Sequence, residues 1–318
     1  MGGMMFRFLI VFVIIGLPFS IYADTIPIIG GCGSLNSTDL STQMAYEIDS
    51  RISGITASDT TKMLWSTRGN GTEGWMRSGT VWTALGTTPI DFTGASPWNN
   101  YSDYTLAGTL ISPRHVVFTQ HAPIINGSTI IFVDNENNII SRTIANIPQI
   151  QIGGDIQIAV LNEDVPSSIA YYPIIDLFTF QNYWKNVPNT PIIILDKEDK
   201  VLIKNASGIM MNLLYYLGFE ISPRSDFNEN IITGDSSNPV FGVIGGRLVL
   251  LSSVSTEIYG TFSSSFINDI NSAMTTLGGG GIKFPHLTFL VLSHNLFRNL
   301  VWSQRLFPLL KIAQMGRK

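Results

Sequence analysis

From Ser78 onward the chain alternates short apolar, β-rich runs with clusters of Gly, Pro, Asn, Asp and Ser, the pattern of strands joined by turns. Three hairpins are predicted. Thr129–Val133 and Ile139–Ile144 flank a turn of Asp134 to Asn138, Ile192–Leu195 and Val201–Ile203 flank a charged turn, and Val240–Ile244 and Leu248–Leu251 flank Gly245-Gly246-Arg247. Leu106–Ile111 and Val116–Phe118 also read as strands, and Ile156–Leu161 forms a mostly apolar run after Gly153-Gly154-Asp155. Helical spacing occurs twice. Asp39–Asp49 reads as a short helix capped by Ser37 or Thr38, and Ser264–Leu277 carries Phe266, Ile267, Ile270, Ala273, Met274 and Leu277 at helical intervals before Gly278 to Gly281 end it. Many strands closed by one helix predict an all-β barrel domain.

The two ends differ from this middle. Met1–Ala23 carries Arg7, an apolar run from Phe8 to Leu17, Pro18, and small Ala23 before Asp24, the layout of a signal peptide cleaved after Ala23. The predicted location is secreted, extracellular or periplasmic. An anchor helix is the competing reading, although the run is short for a full span. Residues 24–77 are rich in Ser, Thr and Gly and read as an N-terminal extension or propeptide. Residues 278–318 form a glycine linker and a basic, apolar tail, open to two readings: a helix on a membrane or on the acidic body, or a helix packed in a core.

With 318 residues, 45% apolar and 13% charged, the chain has ample material for a core. Cys32 is its one cysteine, so no internal disulfide can form. Ile29-Gly30-Gly31-Cys32 loosely resembles a lipoprotein signal, but Asp24 separates it from the apolar run. The net charge of −4 hides an imbalance, because residues 24–281 hold 12 Lys plus Arg against 23 Asp plus Glu. An acidic body excludes nucleic acid as the main partner.

Candidate chemistry centres on Thr233-Gly234-Asp235-Ser236-Ser237-Asn238-Pro239-Val240. It reads either as an ordinary turn or as a nucleophile loop, in which a serine hydroxyl needs a base and backbone N–H groups for the oxyanion. Of the four histidines, His286 and His294 lie beyond the glycine linker, and His115 reads as an exposed loop residue after Ser112-Pro113-Arg114. His121 stands where a buried strand becomes a loop. Asp155, at the mouth of an apolar strand, is the carboxylate to orient it; Asp134 and Asp164 lie in polar loops.

The order His121, Asp155, Ser236, with Gly-Thr-Leu-Ile-Ser-Pro-Arg-His-Val-Val-Phe-Thr-Gln-His-Ala, Gly-Asp-Ile-Gln-Ile-Ala-Val-Leu and Gly-Asp-Ser-Ser-Asn-Pro-Val-Phe, resembles the trypsin/chymotrypsin-like serine peptidase family, closest to disulfide-poor secreted bacterial members. The resemblance covers 78–277 and implies two packed antiparallel β-barrels, split near 166–183, with the site between them. It implies His121 as base and acid, Asp155 as its orienting partner, Ser236 as nucleophile, and the N–H groups of Gly234 and Ser236 as oxyanion hole. Asn230 aligns with the floor of the specificity pocket. Departures are Gln120 for the usual alanine, and Ser237 and Asn238 where the family usually has glycines. In many relatives a freed N-terminus pairs with the residue here numbered Asp235; Ile28-Ile29-Gly30-Gly31 resembles such a terminus but lies far upstream. The expected function is a secreted serine endopeptidase acting on protein or peptide substrates without cofactor or metal, its tail at 282–318 available for membrane or surface association. The alternatives are a catalytically silent homologue acting as a binding protein, and a β-sandwich adhesin.

Overall fold

A computed structural model describes residues 39–69, 73–83, 89–96, 107–184, 186–218 and 221–278. The signal segment, Cys32, His286, His294 and the tail fall outside them. The helix expected from Asp39 forms as α1 (Leu40–Ile52). Its cap is Asp39 itself, whose side chain accepts from the Ser41 N–H at 3.1 Å, in place of the expected Ser37 or Thr38. A single turn, α2 (Asp59–Lys62), follows, and β1 (Trp65–Thr67) pairs with β2 (Met76–Arg77).

These N-terminal elements are not an appendage. Met44, Ile48 and Ile52, four residues apart, form one stripe of α1 with no exposed surface, and Leu64, Trp65 and Trp75 are as deeply set. The stripe lies on the barrel described below. Gly242 makes the approach possible, since a Cβ there would stand 2.7 Å from the Met44 methyl.

Next come β3 (Thr109–Leu110), β4 (His115–Thr119), β5 (Thr129–Val133), β6 (Ile139–Thr143), β7 (Ile150–Ile152) and β8 (Ile156–Val160). They form a four-stranded sheet in the order β3-β4-β8-β7 and a separate hairpin β5-β6, linked by the bridge from Ile144 to Leu161. β4 and β8 are buried along their whole length, which their mostly apolar character anticipates. His115 is corrected here: it opens β4, is 1% exposed, and its Nδ1 lies 2.7 Å from Ser112 Oγ. Burial, reinforced by Arg114, pulls its imidazole below the usual range.

The chain crosses through α3 (Leu177–Tyr183) to β9 (Thr190–Leu195), β10 (Val201–Met210), β11 (Leu213–Leu217), β12 (Pro239–Ile244), β13 (Arg247–Val254) and β14 (Tyr259–Phe262), and α4 (Ile267–Thr276) is the last described element. The six strands close into an antiparallel barrel in the order β10-β11-β14-β13-β12-β9. The fold is thus all-β, with a closed six-stranded barrel, few helices and a C-terminal helix. One core joins its parts: Val117 and Ile158 of the sheet, Phe241 and Leu250 of the barrel, and Ile48 of α1 belong to a single cluster. Phe241 makes edge contacts with Tyr172, at 4.7 Å between ring centres, and with Phe92 at 6.3 Å.

The turn from β9 to β10 holds a buried carboxyl. Asp196 accepts from the N–H groups of Glu198 and Lys200 at 2.9 and 2.8 Å, and burial first, then repulsion from Asp235 and Asp199, pushes it up to about 7. Its folded pKa exceeds its unfolded value, so its stabilisation is complete below about pH 4 and is lost as pH rises through about 7. Asp196→Asn keeps an acceptor and removes that loss. Calorimetry is expected to find the variant gaining Tm over wild type between pH 4 and pH 8; a difference independent of pH would refute the assignment.

Candidate active site

Strand register brings the imidazole and its carboxylate together. β4 and β8 are antiparallel with Thr119 opposite Ile156, so His121, two places past β4, meets Asp155, one place before β8. Asp155 Oδ1 accepts from the His121 backbone N–H at 3.1 Å, and Oδ2 lies 2.6 Å from His121 Nδ1. A carboxylate can only accept, so Nδ1 carries the proton and Nε2 presents its lone pair. Nε2 lies 2.7 Å from Ser236 Oγ. Thr261 of β14 fixes Asp155 from the barrel side, its Oγ1 accepting from the Asp155 N–H at 3.0 Å. His121 is exposed and Ser236 half-buried, so the pair opens to solvent.

Ser236 sits in the loop entering β12. Asp235 pins that loop from within: its carboxylate accepts from the N–H groups of Ile232 at 2.7 Å and Lys197 at 2.8 Å. Burial pushes this carboxyl up while the two amides pull it down. The amides of Asp235, Ser237 and Asn238 are spent on Ile232, Val254 and Asp235 carbonyls. Among the described residues those of Gly234 and Ser236 donate to no acceptor, leaving two N–H groups beside the hydroxyl. Gly234 adopts φ +104, and a Cβ there would meet Lys197 Cδ at 3.0 Å.

The departure at Ser237 acquires a structural account. Ser237 takes φ +73, the left-handed region a glycine would use, and is fully buried. Its hydroxyl lies 2.6 Å from Thr119 Oγ1 and accepts from the Thr119 N–H at 3.0 Å. The residue after Ser236 is thereby tied to the strand end that leads into His121. Sequence reading missed this link; its signal was a hydroxyl residue standing where the resembling family has glycine. Ser237→Ala leaves Thr119 without that buried partner, at an expected cost of about 1–3 kcal/mol, read as a lowered urea midpoint at unchanged m. An unmoved midpoint would remove the hydroxyl from the account.

Asn230 lines a cavity of about 390 Å³ together with Lys204, Leu217, Ile232, Glu257 and Ile258. Asp134, set aside as a catalytic partner, caps its hairpin turn by accepting from the N–H groups of Glu136 and Asn138, each at 2.9 Å. Carboxylate oxygens of Asp196, Glu198 and Glu229 lie within 4.8 Å of one another, but the Lys200 ammonium contacts Glu198 and Glu229, and Lys62 contacts Glu229. Two lysine cations thus already pair with Glu198 and Glu229.

No protein-family model matches the chain, and no curated protein matches it. Among solved structures, human heparin binding protein is similar at 13% identity, covering 60% of this chain and 94% of that one, with a TM-score of 0.44. Two mutants of it align at 13% and 14% identity, over 59% and 60% of this chain and 94% of theirs, with TM-scores of 0.45 and 0.44.

Proposed function

We propose that this chain is a secreted serine endopeptidase that cleaves peptide bonds through an acyl-enzyme on Ser236. One observation carries the reading: a single imidazole hydrogen-bonded to a carboxylate at 2.6 Å on one nitrogen and to a serine hydroxyl at 2.7 Å on the other. In this mechanism His121 Nε2 takes the Ser236 proton as Oγ attacks the carbonyl carbon. Asp155 holds the tautomer and stabilises the imidazolium. The N–H groups of Gly234 and Ser236 receive the oxyanion, and His121 then passes its proton to the leaving amine. Water enters by the reverse route, with His121 again as base, and releases the acyl group.

The motives for a silent binding homologue were Ser237, Asn238 and the basic tail, which lies outside the described residues. Ser237 takes the left-handed backbone conformation that a glycine would use, which removes the first of these motives. Fluorophosphonate labelling of the processed protein, with Ser236→Ala as control, tests the proposal. Labelling confined to Ser236 is the expected result, and a folded, processed protein that takes no label would overturn it.

A further inference from the structure

Lys204 is an uncommon residue in its place. It ends the run Val201-Leu202-Ile203 inside β10, is 5% exposed, and forms no ion pair among the described residues. The nearest candidate is already engaged: Glu229 gives one carboxylate oxygen to Lys62 at 2.9 Å and the other to Lys200 at 3.0 Å. Lys204 Nζ instead donates to two neutral acceptors, Asn228 Oδ1 at 2.6 Å and the Glu229 carbonyl. An ammonium has three N–H groups, so one remains. A buried cation without a direct ion pair is costly, and burial pulls this one down to about 8 although Asp235 and Glu229 partly offset it at a distance.

Lys204 also belongs to a wall of the cavity of about 390 Å³. Leu217, Ile232 and Ile258, each roughly half exposed, also line it, and Glu257 stands in solvent beside them. The cavity shares a loop with the proposed nucleophile. Asn230 and Ile232 line it, the Ile232 N–H is held by Asp235, and the Asp235 carboxylate acts electrostatically on both Lys204 and its neighbour Tyr216. A mixed lining, with Leu217, Ile232 and Ile258 beside a buried ammonium that has no direct ion pair, suits a ligand with an aliphatic stem and an anionic tip.

We propose that this cavity receives a glutamate side chain of the substrate, its methylenes against Leu217, Ile232 and Ile258 and its carboxylate on Lys204. As a statement about cleavage it rests on the serine endopeptidase reading; as a statement about binding it is testable without catalysis. The full chain carrying Ser236→Ala is titrated, by fluorescence anisotropy, into labelled hexapeptides that differ only in a C-terminal Glu, Gln, Lys or Leu.

The Glu peptide is expected to bind at least about tenfold more tightly than the Gln peptide, as a hydrogen bond between charged groups implies. Adding Lys204→Met brings the Glu peptide to the affinity of the Gln peptide, and Lys204→Arg keeps Glu preferred. No preference for Glu, or a preference that survives Lys204→Met, overturns the proposal. Should Lys204→Met fail to fold, the four-peptide ranking and Lys204→Arg decide it. A wild-type protein that takes fluorophosphonate yet shows no preference for Glu defeats this inference alone. One that binds the Glu peptide yet takes no label defeats the endopeptidase reading alone.

Discussion

Ser236→Ala is expected to abolish fluorophosphonate labelling and to lower peptide hydrolysis by roughly 10⁵- to 10⁶-fold, because it removes the atom that bonds to the acyl carbon. His121→Ala should lose nearly as much, and the double variant no more than the worse single one. In the proposed mechanism the two side chains share one proton transfer across the 2.7 Å between Nε2 and Oγ, so their contributions would not add. Asp155→Asn is the sharper test. An amide in place of the carboxylate presents a donor to Nδ1 or forces a flip that loses the 3.1 Å bond from the His121 N–H, and either way the tautomer is no longer held. The expected loss in kcat is about 10⁴-fold at little cost in stability. Additive losses, or an Asp155→Asn variant at full rate, would mean that the three side chains meet without working together.

A chain beginning at Ser78 is expected not to fold. Leu40, Met44, Ile48 and Ile52 are each at most 3% exposed on α1, and burial of side chains of this size stabilises by about 1.5–3 kcal/mol apiece. Their sum of roughly 6–12 kcal/mol is of the same order as the net stability of a whole domain, before Leu64, Trp65 and Trp75 are considered. Circular dichroism during thermal unfolding should find a cooperative transition for residues 39–318 and none for 78–318. If the protein is processed as proposed, maturation is expected to spare this segment, so the intact mass of the mature form should include it. A cooperative transition of the shorter chain at a similar Tm would contradict the packing argument.

Much of the strand inventory was legible along the chain because its punctuation is chemical. Asp134 to Asn138 and Gly245-Gly246 are turn formers between apolar runs, and hairpins formed where they stand. What was not legible depended on partners distant in sequence. The spacing of Met44, Ile48 and Ile52 was visible, but the surface they cover is on strands some 150–200 positions away, and the polar composition around them suggested an extension. His115 looked like a loop residue because Pro113 and Arg114 precede it, whereas the strand begins one place earlier than its apolar run. His121, Asp155 and Ser236 could be ordered from the chain, but their meeting depends on the pairing of Thr119 with Ile156 and on the Asp155 to Thr261 bond between sheet and barrel. Lys204 gave a signal that was overlooked, a lone cation directly after the apolar run Val201-Leu202-Ile203.

The two amides on Asp235 bear on when such an enzyme would begin to cut. Its carboxylate is met by Ile232 and Lys197 from within the folded chain, each through a group that exists as soon as the barrel closes. Folding and readiness then coincide, with no separate trigger for the nucleophile loop. For the enzyme proposed here, restraint would then fall to place or to an inhibitor, because the partners of this carboxylate do not depend on a freed chain end.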